Sequence, residues 1–319
     1  MRIILITQGV SRIVDPLLDS EHEIVGVLES APRNYNKKVI FSRIKRGFRW
    51  FYSKFISSDR SLKFVCKNSS IPYRFMTSSD DEGLVAWLRE KNPDLMVVFS
   101  MSQLLKKSIF SIPTLGTINL HPSFLPEYRG PNPDFWQYLD MEEYPGATVH
   151  YIDDGEDTGD IIFQDRMYIP LGTKSPERLD QLVGKLGVAL ILEALNAIES
   201  GHAPRVKQPL ESPTRRARNL QPGEHKTVID WENWPVEKVW HVLRGTELWL
   251  NALPQPAGVF RGQRWSIGNY DTCSRDTDIP GKIYRIRGRR YVAASDGRIF
   301  LSLDFRIKRM ILGFIKHAK

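Results

Sequence analysis

Two stretches of this sequence contain side chains that can act together on a carbonyl group. The first runs from Thr117 to Gly130 and contains Asn119 and His121. Residues two apart on a strand project to the same side, so the amide and the imidazole are expected to lie side by side. The amide offers N–H donors and the imidazole a donor whose charge changes near neutral pH, so the pair can stabilise an oxyanion. A hydrogen-bonded pair that only supports the fold would use the same spacing.

The second stretch, from Asp153 to Asp160, is mostly acidic and contains two glycines. A calcium loop of the EF-hand type would need a Glu at its twelfth position, where this chain has Gln164. A simple turn between two strands is compatible with the same residues. A third interpretation is a carboxylate held against the Asn–His pair, where it would act as a base or fix the proton of the imidazole.

The elements that must position these side chains are predicted from apolar runs. Residues 2–7, 23–28, 95–99 and 117–120 are short and apolar, and Ser79 with Glu82 has the spacing of a helix start. Strands that alternate with helices predict a doubly wound α/β unit with a mostly parallel sheet. Ligands bind beyond the carboxyl ends of such strands, which is where Asn119 and His121 lie.

The rest of the chain predicts a larger and a smaller domain. Strands are expected at 147–152 and 161–163, followed by a long helix that begins near Ser175 and ends near Gly201. We therefore expect a catalytic domain at 1–201. A polar linker rich in Arg and Pro at 202–228 precedes a smaller β-rich domain at 229–319, with a helix near Val236 and antiparallel strands.

Composition narrows the class of protein. The 319 residues are 41% apolar and 26% charged, which suits a packed core, and the two cysteines, Cys66 and Cys273, have no zinc-site spacing. No apolar run reaches the length of a membrane helix and no secretory signal is recognised, so a cytoplasmic location is expected. Lys and Arg cluster at 31–60 and 281–319, which predicts either phosphate binding or a solvated basic surface.

The segment from Arg43 to Phe55 combines basic and aromatic side chains. Three interpretations stay open for it: a helix packed on the core, a lid over a phosphorylated ligand, or a membrane-surface element. The tail from Phe305 to Lys319 poses the same question, because Ile307, Ile311 and Phe314 can share a helical face.

Taken together, the motifs resemble those of one enzyme family. The series N-x-H-x-S-x-L-P-x-Y-R-G, G-x-T-V-H and D-x-G-x-D-T-G-D-I-I, from Asn119 to Ile162, resembles the 10-formyltetrahydrofolate-dependent formyltransferases. The resemblance is dense over 94–165 and returns at Ile229–Trp231. It implies a Rossmann-like core, 10-formyltetrahydrofolate as formyl donor, and no metal. It also implies that Asn119, His121 and Asp157 are the catalytic residues.

The same resemblance implies two sets of binding residues. The expected folate-binding residues are Phe99, Met101, Ser102, Leu104, Asp153, Gly155 and Asp157. The expected substrate-binding residues are Ser123, Tyr128, Arg129, Gly130, Pro131 and Asn132. Family members usually have Gly where this chain has Ser102, in a segment that borders the folate pocket of the family. Trp50 and Tyr128 are expected to be exposed and to stack on a base or a sugar.

The acceptor is predicted from the residues that come after Arg129. Methionyl-tRNA formyltransferases usually read R-G-A-A-P-I, whereas this chain has Arg129-Gly130-Pro131-Asn132-Pro133, which resembles the carbohydrate-formylating branch. A dTDP-, UDP- or GDP-linked amino sugar, used for lipopolysaccharide O-antigen or other surface polysaccharides, is therefore the expected acceptor, and a homodimer the expected assembly. The alternatives are formylation of tRNA, hydrolysis of formyltetrahydrofolate, and a non-catalytic binding protein on the same fold.

Overall fold

The computed structural model describes residues 1–32, 35, 61–79, 82–273, 278–307 and 309. The segment from Arg43 to Phe55 and the tail beyond Arg309 lie outside these residues. The chain divides into two compact units, the first formed by Met1–Pro131, Gly146–Arg166 and Asp180–Arg216, and the second by Asn132–Pro145, Met167–Leu179 and Ala217–Lys319. The domain boundaries at 201 and 228 remain a sequence-based prediction.

The first unit is built on a mixed sheet, which within the described residues has seven strands in the order β3-β2-β1-β4-β5-β6-β7. Strands β1 to β5 pair in parallel, whereas β6 and β7 are antiparallel. The strands are β1 (Arg2–Thr7), β2 (Glu23–Ser30), β3 (Tyr73–Met76), β4 (Leu95–Phe99), β5 (Thr117–His121), β6 (Gly146–Tyr151) and β7 (Ile161–Arg166). The predicted doubly wound, mostly parallel fold is confirmed.

The apolar runs become central strands because they are buried on both faces. All four residues of Ile3–Ile6 in β1 are fully buried, and Leu95–Val98 in β4 is at most 3% exposed. The connecting helices are α1 (Val14–Leu18), α2 (Leu62–Asn68), α3 (Glu82–Lys91) and α4 (Lys107–Phe110). Leu84 and Leu88 of α3 are fully buried, because residues four apart share one face of a helix.

The predicted long helix begins at Ser175, but it is not a uniform α-helix. An α-helical turn at Ser175–Leu179 (α6) continues through a π-helical segment at Asp180–Gly187 into Val188–Glu199 (α7). At Gly187 an added Cβ would lie 2.8 Å from Leu120 Cδ2, so glycine allows this helix to approach β5 closely. Among the described residues, Ser175–Glu199 is the one helix whose length and composition would suit a membrane span, a property that core helices share.

The second unit contains the predicted helix and the predicted antiparallel strands. Its helices include α5 (Pro133–Leu139), the α6 turn described above and α8 (Val236–Gly245). Its sheet, as far as the chain is described, has four antiparallel strands in the order β8-β11-β10-β9. They are β8 (Arg264–Thr272), β9 (Ile283–Ile286), β10 (Arg289–Ala294) and β11 (Gly297–Asp304). The smaller β-rich region expected toward the C-terminus is thereby confirmed.

Candidate active site

The candidate site lies at the carboxyl end of β5, where the sheet changes from parallel to antiparallel pairing. Asn119 pairs with Val98 of β4 on one side and with His150 of β6 on the other, and His121 pairs with Thr148. Directly opposed residues of an antiparallel pair have neighbouring side chains. The sheet therefore places a second histidine, His150, beside the predicted Asn–His pair.

Asn119 and His150 form a hydrogen bond whose direction follows from their other contacts. The Nδ1 atom of His150 lies 2.8 Å from the carbonyl oxygen of Tyr151, so Nδ1 carries the proton and donates it. Its Nε2 atom then accepts from Nδ2 of Asn119 at 3.1 Å. Burial, reinforced by the charge of a protonated His121, outweighs the attraction of Asp157 and lowers the pKa of His150 to about 4. His150 is thus neutral at neutral pH and fixes the amide of Asn119.

His121 lies between two oxygen acceptors. Its Nε2 atom is 3.1 Å from the carbonyl oxygen of Tyr128, to which it donates, and its Nδ1 atom faces Oδ2 of Asp157 at 3.5 Å. An imidazole that takes up a proton at Nδ1 would have an acceptor at each nitrogen. His121 is therefore arranged to hold a proton against the Asp157 carboxylate.

The carboxylate of Asp157 has one backbone donor and two imidazoles beside it. Its Oδ2 atom accepts a hydrogen bond from the backbone N–H of Gly130 at 2.9 Å, and its Oδ1 atom lies 3.7 Å from Nε2 of His150. Burial alone would raise the pKa of this carboxyl group, but His121, His150 and the Gly130 N–H outweigh it, and the pKa is lowered. Asp157 is therefore an ionised carboxylate facing two imidazoles. The structure brings the three predicted catalytic residues together.

The other acids of the 153–160 loop have partners in the protein. Asp153 accepts from the Gly155 N–H at 2.9 Å and from the Thr158 hydroxyl at 2.7 Å, which closes a local turn. The remaining acids bind basic side chains: Lys107 with Asp154 at 3.1 Å, Arg216 with Glu156 at 2.5 Å and Lys207 with Asp160 at 2.8 Å. These contacts account for the density of acids without a metal-binding loop.

Three of the predicted substrate-binding residues are buried and committed to the protein itself. Ser123 is fully buried and its hydroxyl donates to the Glu127 carbonyl at 2.6 Å. Arg129 is 8% exposed and donates to Gln208 and to the carbonyl oxygens of Pro209 and Leu210. Tyr128 is 4% exposed, so the expectation that its ring is exposed for stacking is wrong. Its backbone contributes instead, because the Tyr128 carbonyl oxygen accepts a hydrogen bond from Nε2 of His121. Trp50 lies outside the described residues.

The remaining predicted substrate-binding residues follow directly in the chain. Gly130 has a φ of 104°, a conformation that favours glycine, and it presents its N–H to Asp157. Pro131 is half-buried. Asn132 has a φ of 64° and precedes the first turn of α5, where a short polar side chain tolerates the left-handed conformation.

Four of the predicted folate-binding residues lie at or just beyond the carboxyl end of β4, and the other three, Asp153, Gly155 and Asp157, lie in the loop between β6 and β7. Phe99 is the last residue of β4, Met101 packs against the core of the sheet, and Leu104 is 69% exposed. The hydroxyl of Ser102, where family members usually have Gly, donates to the carbonyl of Ala31 at 2.5 Å and lies 3.3 Å from the hydroxyl of Ser30. Serine at this position ties the segment after β4 to the end of β2.

Sequence reasoning missed three residues that contact the predicted group. His150 belongs to the recognised G-x-T-V-H motif, but its place beside Asn119 depends on the register between β5 and β6. Thr214 accepts from the Tyr128 N–H at 2.6 Å, and Gln208 binds the Asp157 backbone. Both lie in the stretch interpreted as a linker, where polar residues gave no signal of a role.

Comparison with known proteins identifies the family. The model of a family described as formyl transferase matches residues 54–195. The chain is 31% identical over 240 residues to methionyl-tRNA formyltransferase of Clostridioides difficile, which covers 74% of this chain and 70% of that protein. The chain belongs to the formyltransferase family. The corresponding enzyme of Moorella thermoacetica is 32% identical over 245 residues, which cover 76% and 75% of the two chains.

Solved structures share the fold of this chain. The sugar 3N-formyltransferase WlaRD, crystallised with dTDP and 5-N-formyl-THF, superposes with a TM-score of 0.61 at 15% identity, covering 96% of this chain and 99% of that one. HypX from Aquifex aeolicus superposes with a TM-score of 0.59 at 16% identity, and this chain spans 50% of its length. The family match confirms the enzyme class predicted from the sequence, a folate-dependent formyltransferase.

The buried neutral His150 makes the stability of this formyltransferase depend on pH. The free energy of unfolding is expected to be largest above about pH 6.5 and to fall toward pH 4, because only the unfolded chain protonates His150 in that range. Lowering the pKa of His150 from 6.5 to about 4 corresponds to a loss of roughly 3 kcal/mol in the free energy of unfolding between these pH values. His241, whose pKa burial likewise lowers to about 4, adds to the trend.

The measurement is urea unfolding at a series of pH values. His150→Asn should flatten the slope of unfolding free energy against pH, whereas the same change at the exposed His202 should leave it unchanged. A slope that His150→Asn does not alter would contradict a buried, neutral His150.

Proposed function

We propose that this formyltransferase moves a formyl group from 10-formyltetrahydrofolate to the primary amine of a nucleotide-linked amino sugar. The observation that carries the proposal is the convergence of Asn119, His121 and Asp157 at the carboxyl end of β5. An amide donor, an imidazole and a carboxylate around one point are the groups that transfer of a formyl group between nitrogens requires.

The residues beyond β4 fit a folate. Phe99, Met101 and Leu104 offer apolar surface at one edge of the sheet, and the 69% exposure of Leu104 is what an uncovered ligand-facing side chain would show. When bound, 10-formyltetrahydrofolate supplies a formyl group on nitrogen. The Ser102 hydroxyl is committed to Ala31, so it would shape this segment rather than contact the ligand.

The chain's own residues divide the remaining work. Among the described residues only His150 bonds to the Asn119 amide, which leaves its second N–H to donate to the formyl oxygen as negative charge builds there. The Nδ1 atom of His121 accepts the proton that the attacking amine loses, and the Asp157 carboxylate stabilises the resulting imidazolium. The same proton can then pass to the departing folate nitrogen, so the enzyme ends in its starting state.

The preference for an amino sugar rests on the sequence after Arg129. Gly130-Pro131-Asn132-Pro133 resembles the carbohydrate-formylating branch, and basic side chains would suit the diphosphate of a dTDP-, UDP- or GDP-linked substrate. The fold shared with WlaRD over 99% of that protein supports this preference. A homodimer and a cytoplasmic location, where a sugar nucleotide for surface polysaccharide would be formylated, are part of the proposal.

Formylation of methionyl-tRNA is the second candidate, because the curated relatives at 31% and 32% identity bear that name. A feature of the second unit suits a phosphate backbone as well. A cavity of about 420 Å³ on its sheet is lined by Arg285, Arg289 and Arg290 together with Trp265 and Phe300.

An acceptor panel tests the proposal. The protein is incubated with 10-formyltetrahydrofolate and, in parallel, with dTDP-, UDP- and GDP-linked amino sugars, with methionyl initiator tRNA, or with no acceptor. We expect a formylated amino sugar by mass spectrometry and none with Asp157→Asn. Formylated tRNA without any formylated sugar would favour the second candidate, and donor consumption without acceptor would indicate a hydrolase.

A further inference from the structure

Gln208, in the stretch interpreted as a linker, makes hydrogen bonds to two segments of the chain that contribute to the candidate site. Its Nε2 atom donates to the carbonyl oxygens of Asp157 at 3.0 Å and Gly159 at 2.7 Å. Its Oε1 atom accepts from Nε and Nη2 of Arg129 at 3.2 and 2.8 Å. One side-chain amide therefore joins the Asp157 loop to the residue next to Gly130.

The two segments that Gln208 joins are the two that define the position of the Asp157 carboxylate. Asp157 has a φ of 55°, a left-handed conformation that is strained for a non-glycine residue and persists only where surrounding contacts hold it. Its carboxylate is fixed by the N–H of Gly130, which follows Arg129 in the chain. Gln208 thus holds the backbone of Asp157, whose carboxylate accepts this hydrogen bond. Through Arg129 it also holds the backbone next to Gly130, which donates the hydrogen bond.

We propose that Gln208 is a positioning residue of the formyl-transfer site, which holds the strained Asp157 backbone so that its carboxylate faces His121 and His150. This inference rests on the proposed function for its catalytic consequence, but the geometry that it asserts can be measured without turnover.

Other contacts keep the segment in place when Gln208 is changed. Val206 and Ile161 exchange two backbone hydrogen bonds of 2.8 and 2.9 Å, and Arg216 binds Glu156. Arg129 also donates to the carbonyl oxygens of Pro209 and Leu210. Because these contacts do not involve the Gln208 side chain, Gln208 variants are expected to fold.

The first variant is Gln208→Met. Methionine is similar in volume to glutamine, and the change removes both the N–H groups that bind Asp157 and Gly159 and the oxygen that binds Arg129. We expect kcat for donor turnover to fall by about 10- to 100-fold, the usual effect of losing a residue that orients a catalytic group. The Asp157 carboxyl group should also titrate at higher pH than in the wild type, because it moves away from the groups that lower its pKa. Carbon-13 NMR of the aspartate carboxyls measures this, with the Asp157 signal assigned by its loss in Asp157→Asn.

Two further variants separate positioning from a general effect on the fold. Gln208→Glu keeps an oxygen for Arg129 but has no N–H for the Asp157 and Gly159 carbonyls, so kcat should fall as in Gln208→Met. If Gln208 served only to anchor Arg129, Gln208→Glu would keep wild-type kcat. The matched control is Gln263→Met, which removes a buried glutamine that bridges the N–H and carbonyl of Arg306 in the second unit, and it should retain wild-type kcat.

The outcomes are distinct. Wild-type kcat and an unchanged Asp157 titration in Gln208→Met would overturn the positioning role, as would an equal loss of kcat in Gln263→Met. If the wild-type protein turns over no donor with any acceptor, the proposed function fails, and the Asp157 titration alone then decides the role of Gln208.

Discussion

Asp157→Asn is expected to lower kcat by at least about 10³-fold. A loss of this size, about 10³-fold or more, is typical when a carboxylate that orients a catalytic histidine and stabilises its protonated form is removed. The carboxylate faces Nδ1 of His121 at 3.5 Å and Nε2 of His150 at 3.7 Å. An amide of the same shape carries no charge to stabilise a protonated His121, so the proton of the attacking amine loses its destination. Steady-state kinetics with 10-formyltetrahydrofolate and the preferred acceptor measure the loss.

The fold should survive this change, because the amide oxygen can still accept from the Gly130 N–H. Thermal unfolding of Asp157→Asn is therefore the control, and a variant that is folded but inactive is the expected result. A matched change at Asp154, an exposed member of the same loop that binds Lys107, should leave kcat within about twofold of the wild type. Wild-type turnover by Asp157→Asn would remove Asp157 from the mechanism.

Asn119→Ala is expected to lower kcat by about 10²- to 10³-fold, the typical effect of removing one hydrogen-bond donor to an oxyanion. The Asn119 amide donates one N–H to His150 and has no other partner among the described residues. Its second N–H is therefore left to donate to the formyl oxygen. Removing the amide also leaves Nε2 of the buried His150 without its donor, so a modest loss of stability should accompany the loss of rate.

The control for Asn119→Ala is Asn233→Ala, since Asn233 also uses its Nδ2 atom for a side-chain hydrogen bond, to Asp230, but lies exposed in the second unit. Asn233→Ala should keep wild-type kcat. If Asn119→Ala lowered stability but kept kcat within a few-fold of the wild type, the amide would be a support for His150 and not a donor to the substrate.

The parts of the fold that the sequence predicts are those with a local signal. The parallel strands are continuous apolar runs because both of their faces are covered, so β1, β4 and β5 stand out without any knowledge of their neighbours. The strands of the second unit have a weaker signal. Residues of β8 and β11, for example, alternate between buried and exposed only over part of each strand, and a register shift interrupts the pairing of the two strands.

The candidate site follows the same division. Asn119, His121 and Asp157 lie in motifs that a single sequence displays, and the structure brings them together. The contribution of His150 depends on which residue of β6 opposes Asn119, which is set by the register of an antiparallel pair. Gln208 could not be assigned from sequence, because it acts from a stretch without periodicity, and the hydrogen bond between His121 and Tyr128 could not be predicted, because Tyr128 accepts it through its backbone carbonyl.

The path of the chain after Glu199 bears on how such an enzyme can diversify. The contacts described for the Asp157 loop end at Arg216, and the second unit resumes at Ala217. Sequence beyond that point can therefore diverge, or be exchanged for another module that recruits a different acceptor, while the carboxylate keeps its support. A truncation that ended the chain at residue 201 would keep the seven strands but remove Gln208, Thr214 and Arg216, and with them the hydrogen bonds that these side chains make to Asp157, Tyr128 and Glu156.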